Sequence, residues 1–102
     1  MKTLTLNLKR EYFEQIKSGI KTEEYRLCTP YWSKRLEGKT FEKIIIKLGY
    51  PKNDEIEKIM EFPWKGYKKR KITHKHFGSD PVKVYAIKVE GIKWLNHKEE
   101  DG

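Results

Sequence analysis

The apolar residues near the start of the chain change period once, and that change fixes the kind of fold available. Leu4, Leu6 and Leu8 alternate with Thr3, Thr5, Asn7 and Lys9, the two-residue repeat of a half-buried strand. From Arg10 the spacing becomes helical. Tyr12, Phe13, Ile16 and Ile20 fall on one stripe, and Gly19 stands where a helix-ending C′ residue belongs. A strand that hands directly to a helix points to a mixed fold. The same alternation leaves no unbroken apolar stretch, so the N-terminus does not read as a signal peptide and no segment reaches the length of a membrane span.

The remaining elements follow from the same signals. Lys21 to Leu27 is short and extended. Thr29-Pro30 supplies an N-cap and an N1 proline, opening a short helix through Trp32 and Leu36 that stops at Gly38. Phe41 to Leu48 (FEKIIIKL) is the strongest strand, with a β-branched run at its centre. Gly49-Tyr50-Pro51 breaks it, and Lys52 to Glu57 is a polar connection. Ile59 to Trp64 and Tyr67 to Thr73 read as extended segments around Pro63 and Gly66. Gly78-Ser79-Asp80-Pro81 is a turn leading into a second clear strand, Val82 to Val89 (VKVYAIKV). Ile92 to Leu95 adds a final short strand before a frayed tail over 96–102.

With 102 residues the chain has room for one core only, so it is expected to be a single domain spanning 1–102. The order strand, helix, strand, short helix, then several strands gives the class α+β: a small closed or partly closed β-barrel of about five to six strands with two short helices. The strands at Leu4–Leu8, Phe41–Leu48 and Val82–Val89 are expected to share one curving sheet. Leu6, Val84 and Ile45 or Ile46 are expected to lie in its core.

Lys and Arg together number 23 against 15 Asp and Glu, a formal charge of +8. Such an excess supports phosphate binding by counterion release and speeds encounter with polyanions; a lysine-rich surface that only confers solubility explains it as well. The single cysteine, Cys28, excludes an internal disulfide and a cysteine-based metal site, and it fits a reducing, cytoplasmic location as an inert thiol.

Three stretches carry candidate chemistry. In Gly19-Ile20-Lys21-Thr22-Glu23-Glu24-Tyr25-Arg26, strand alternation puts Lys21, Glu23 and Tyr25 on one face and Thr22, Glu24 and Arg26 on the other. An ammonium, a carboxylate and a guanidinium in one cleft make a site for a polar anionic ligand. Arg offers a planar fork, Lys a point charge, and Glu orients them or accepts ligand donors. The plainer alternative is a charged edge strand with ordinary surface ion pairs. In Phe62-Pro63-Trp64-Lys65-Gly66-Tyr67-Lys68-Lys69-Arg70-Lys71, cations interleaved with rings suit a nucleic-acid groove; a lysine-guarded strand edge is the alternative. His74 and His76, two apart, are expected on one strand face. Apart from Asp80 no further ligand lies at metal spacing, so no metal or other cofactor is expected, and acid–base work or a structural role beside Gly78 remains for the pair.

The spacing G-x-K-x-x-E-x-R, at Gly19, Lys21, Glu24 and Arg26, resembles the signature of the ASCH family. The lead-in LTLNLKREYFEQIKSG, the PYW helix and the late segment ITHKHFG-SDPVKVYAIKV resemble a small branch of it that phages and prophages often carry. The resemblance runs over roughly residues 3 to 95. It implies a PUA-like β-barrel that binds RNA or a nucleotide in a cleft lined by Lys21, Glu24 and Arg26. The stretches above add Tyr25, Trp64, Tyr67, Lys68 and His74 as further ligand-binding candidates. A monomer without membrane contact is the favoured state. Characterised relatives include an N4-acylcytidine amidohydrolase and reported ribonucleases, so a small hydrolase with Lys21 and Glu24 as catalytic residues is the alternative. In that amidohydrolase the motif lysine works with a threonine three residues on and a later glutamate. Here Glu24 stands in the threonine's place, and Glu57, Glu61 and Glu90 compete for the later role. A third alternative, an interaction protein that blocks a partner without a nucleic-acid ligand, would show a large exposed apolar patch.

Overall fold

A computed structural model describes residues 2–91 and the backbone of residues 93 and 94. The tail expected to fray, 96–102, lies outside the described residues, as do Ile92 and Leu95 of the expected final strand. The elements run β1 (Thr3–Leu8), α1 (Arg10–Lys17), β2 (Glu23–Leu27), α2 (Pro30–Leu36), β3 (Lys43–Leu48), β4 (Ile59–Pro63), β5 (Tyr67–Ile72), β6 (Val82–Lys88) and β7 (Lys93–Trp94), with single 3-10 turns at Ile56–Lys58 and Lys75–Phe77. The α+β class therefore holds.

The strands form two sheets. The first has the order β1-β3-β4-β7 and the second β2-β6-β5. The single curving sheet expected for Leu4–Leu8, Phe41–Leu48 and Val82–Val89 is thus corrected: β6 belongs to the second sheet. The cause is the β1–β3 pairing, which is parallel, with Leu6 opposite Ile46. A parallel pair needs a long crossover, and here it carries α1, β2 and α2. That crossover sends β2 away from β1, where it becomes the partner of β6. β6 then has both sides taken, by β2 and β5, and cannot also join β1. Among the described residues no ladder connects the sheets, so each contributes an open edge, β1 in one and β2 in the other.

The core lies between these layers. Leu4, Leu6 and Leu8 are buried while Thr3 and Thr5 face out, as the alternation requires. Ile44 and Ile46 point inward and Ile45 is half-exposed, and Val84 is fully buried. Burying each such side chain contributes about 1.5–3 kcal/mol. Helix α1 adds Tyr12, Phe13 and Ile16 and packs on β3. Ile20 does not continue its stripe: the helix ends at Lys17, and Ile20 is 82% exposed. Gly19, at φ 84°, makes the left-handed turn that reverses the chain, and the Lys21 amide then donates back to Gln15 O at 3.0 Å.

Helix α2 begins as its sequence requires. Pro30 holds the first position, and Thr29 Oγ1 accepts from the Trp32 amide at 3.3 Å. Leu36 anchors it in the core. A polar chain ties it to the second sheet: Ser33 Oγ lies 2.6 Å from the buried Tyr85 hydroxyl, which donates to Glu37 Oε2 at 2.8 Å. Lys69 completes this network with an ion pair to Glu37 at 2.6 Å.

Candidate functional site

A cleft of about 340 Å³ opens between the β1 edge of one sheet and the β2 edge of the other. Asn7 and Leu8 come from the end of β1, and Glu24, Tyr25, Arg26 and Leu27 from β2. Tyr12 of α1, Trp32 of α2, and His74, His76 and Phe77 around the 3-10 turn close the remaining sides.

Glu24 organises the charged wall. At 6% exposure it is the one buried charged residue among the described residues. Its Oε1 is 3.2 Å from Lys21 Nζ, and its Oε2 is 3.1 Å from Arg26 Nη2. A buried carboxylate is tolerated only when paired, and here two cations share it. The sequence reading placed Lys21 on the face opposite Glu24. That is corrected: Lys21 precedes Glu23, the first residue of β2, so strand alternation does not govern it, and the Gly19 turn swings it round. Arg26 has more to do than hold Glu24. Its Nη2 also donates to Asn7 O at 3.3 Å, bridging the two open edges, while its buried Nε has no acceptor within the protein.

Aromatic rings face these cations. Lys21 Nζ lies 4.8 Å from the Tyr12 ring centre and 5.1 Å from that of Tyr25, and the Arg26 guanidinium lies 5.2 Å from the Trp32 ring. All are within cation–π range. His74 meets Tyr12 at 5.6 Å and Tyr25 at 6.1 Å, and His76 meets Tyr12 at 5.4 Å and Phe77 at 5.0 Å.

The spacing of the histidines led to the expectation of one shared strand face, and that is corrected: they lie off the strands. β5 ends at Ile72, and His74 caps the 3-10 turn by accepting the His76 amide at its Nδ1, 3.1 Å away. A neutral His74 therefore carries its proton on Nε2. Burial, then the charges of Lys21, His76 and Lys75, push its pKa below the usual imidazole value. Burial, reinforced by Glu23, pushes the Tyr25 hydroxyl up. Among the described residues no group of three or more His, Cys, Asp or Glu could hold a metal ion, and no helix is long and apolar enough to cross a membrane.

Of the expected site residues, the fold brings Lys21, Glu24, Tyr25, Arg26 and His74 together. It does not bring Trp64, Tyr67 and Lys68 into this cleft. Trp64 packs edge-on against Phe41 at 4.9 Å, Tyr67 packs against Tyr85 at 5.1 Å, and Lys68 is exposed on β5. Glu57, Glu61 and Glu90 also lie outside it, with Glu61 ion-paired to Lys43 at 3.6 Å. Cys28 is half-buried against the core. The sequence reading missed Asn7, Tyr12 and Trp32 as cleft residues, because each serves an element that has its own structural reason to carry it. The exposed large apolar side chains among the described residues, Ile20, Tyr31, Tyr50 and Ile56, are scattered over four parts of the chain. Comparison of the chain with protein-family models, curated proteins and solved structures gives no match.

Proposed function

We propose that this chain is a PUA-like domain of the ASCH kind that binds single-stranded RNA or a nucleotide in the cleft between β1 and β2. The observation that carries the reading is the pairing of Lys21 and Arg26 on one buried carboxylate, opposite a wall of rings. Two fixed cations suit a phosphate or carbonyl oxygen, and Tyr12, Tyr25, Trp32 and His74 suit a stacked base. Glu24 is the positioning residue: it holds both cations where a ligand meets them without reorganisation. The motif resemblance and the +8 charge support the same ligand class.

Calorimetric titration with a ribonucleoside monophosphate and a single-stranded oligoribonucleotide, across a salt series, tests this. Binding is expected to be micromolar or weaker, to weaken steeply with salt, and to fall at least about tenfold in Lys21→Ala, which stays folded because Arg26 still pairs Glu24. A flat salt dependence together with unaltered binding by Lys21→Ala would refute it. A small hydrolase acting on N4-acylcytidine or RNA through Lys21 draws support from His74, held neutral beside Lys21 with its proton on Nε2. Cut RNA in the titration mixtures, or free acid released from added N4-acetylcytidine, would move the chain to that class.

A further inference from the structure

A second cavity, about 240 Å³, sits at the other end of β1, lined by Lys2, Thr3 and Leu4 with Lys34, Arg35 and Lys39. No carboxylate lines it, and among the described residues none of its four cations is in an ion pair. In the cleft, by contrast, Lys21 and Arg26 are compensated by Glu24. Four uncompensated cations around one concavity focus a positive field there.

The two cavities draw on the same two elements. The cleft takes Asn7 and Leu8 from the end of β1 and Trp32 from α2, while the second cavity takes Thr3 and Leu4 from the start of β1 and Lys34 and Arg35 from the same helix. Along β1, Thr3 and Asn7 are about 13 Å apart at about 3.3 Å per residue. Trp32 links the sites: the Arg26 guanidinium lies 5.2 Å from its ring and the Arg35 guanidinium 5.7 Å.

We infer that these cavities are two stations on one track along α2. A polynucleotide whose base occupies the cleft continues past Trp32 and seats a backbone phosphodiester among Lys2, Lys34, Arg35 and Lys39. The inference rests on the cleft reading but goes beyond it: the natural ligand is an oligonucleotide rather than a free nucleotide.

The test compares a ribonucleoside monophosphate with a single-stranded octanucleotide on the wild type, on the double variant Lys34→Gln/Lys39→Gln and on Lys21→Ala. Both lysines are exposed and outside the cleft. The wild type should bind the octanucleotide more tightly than the monophosphate. The double variant should keep its affinity for the monophosphate, lose roughly tenfold on the octanucleotide at low salt, and show a log–log salt slope shallower by up to about 0.7, the value for one phosphate contact on a single strand. Lys21→Ala should lose both ligands. Octanucleotide binding unchanged in the double variant overturns the track and leaves the cleft reading standing. Equal losses on both ligands overturn it too, since the lysines then act through net charge alone. No binding of either ligand by the wild type removes the cleft reading and the track with it.

Discussion

His74 stands where burial and the charges of Lys21, His76 and Lys75 oppose a further positive charge, with Glu11 acting the other way. Its pKa in the folded chain is therefore below the ordinary 6.5. The unfolded chain binds the proton more readily, so His74 contributes stability above pH 6.5 that is lost as the pH falls through the folded-state pKa. Melting temperatures followed from about pH 7.5 to about pH 5.5 should drop further for the wild type than for His74→Gln. Parallel curves would mean that the ring is not held neutral. At this scale the sequence was partly legible. The Lys21, Glu24 and Arg26 cluster could be found from spacing, but not the face on which Lys21 lands, which depends on the φ 84° turn at Gly19. Nor does alternation tell that Tyr12, half core residue, shows its ring to the cleft.

At the level of elements, α2 carries more of the proposed site than its seven residues promise. Trp32 belongs to the cleft, Lys34 and Arg35 to the second cavity, and Leu36 to the core. So short a helix is marginal without its cap and its packing. Thr29→Ala removes the acceptor for the Trp32 amide and should cost about 1 kcal/mol, a fall of about 4–8 °C in melting temperature for a domain of this size. Affinity for the octanucleotide should weaken with it, and Thr29→Ser should restore both. An unchanged melting temperature would show that packing alone holds the helix. The cap, the proline and the Gly19 terminator were all readable because each is local chemistry. β6 was readable as a strand because Val84 to Ile87 form a continuous buried run, the mark of a strand covered on both faces.

Pairing partners belong to the whole molecule, and there the sequence was silent. Nothing in FEKIIIKL says that it lies parallel to LTLNL, and nothing in VKVYAIKV says that it joins β2 and β5 instead. These choices are set by the crossover between β1 and β3, a contact over some forty residues. The outcome is a molecule with two unpaired edges facing one cleft, and this has a consequence in time as well as in space. Leu8 O accepts the Gly49 amide on the β3 side, whereas Asn7 O turns the other way to Arg26. Successive peptide groups of β1 thus alternate between a ladder and the open edge, which the cleft meets at Asn7. Deuterium should enter β1 with a two-residue beat, fast at Thr5 and Asn7 and slow at Leu6 and Leu8, while β6, paired on both sides, exchanges slowly throughout. An oligonucleotide in the cleft should slow Thr5 and Asn7 and leave Leu6 and Leu8 as they were. Uniform protection along β1 would mean that the edge is closed in solution. If the beat is there, the backbone clock of one strand reports occupancy of the site without any label on the ligand.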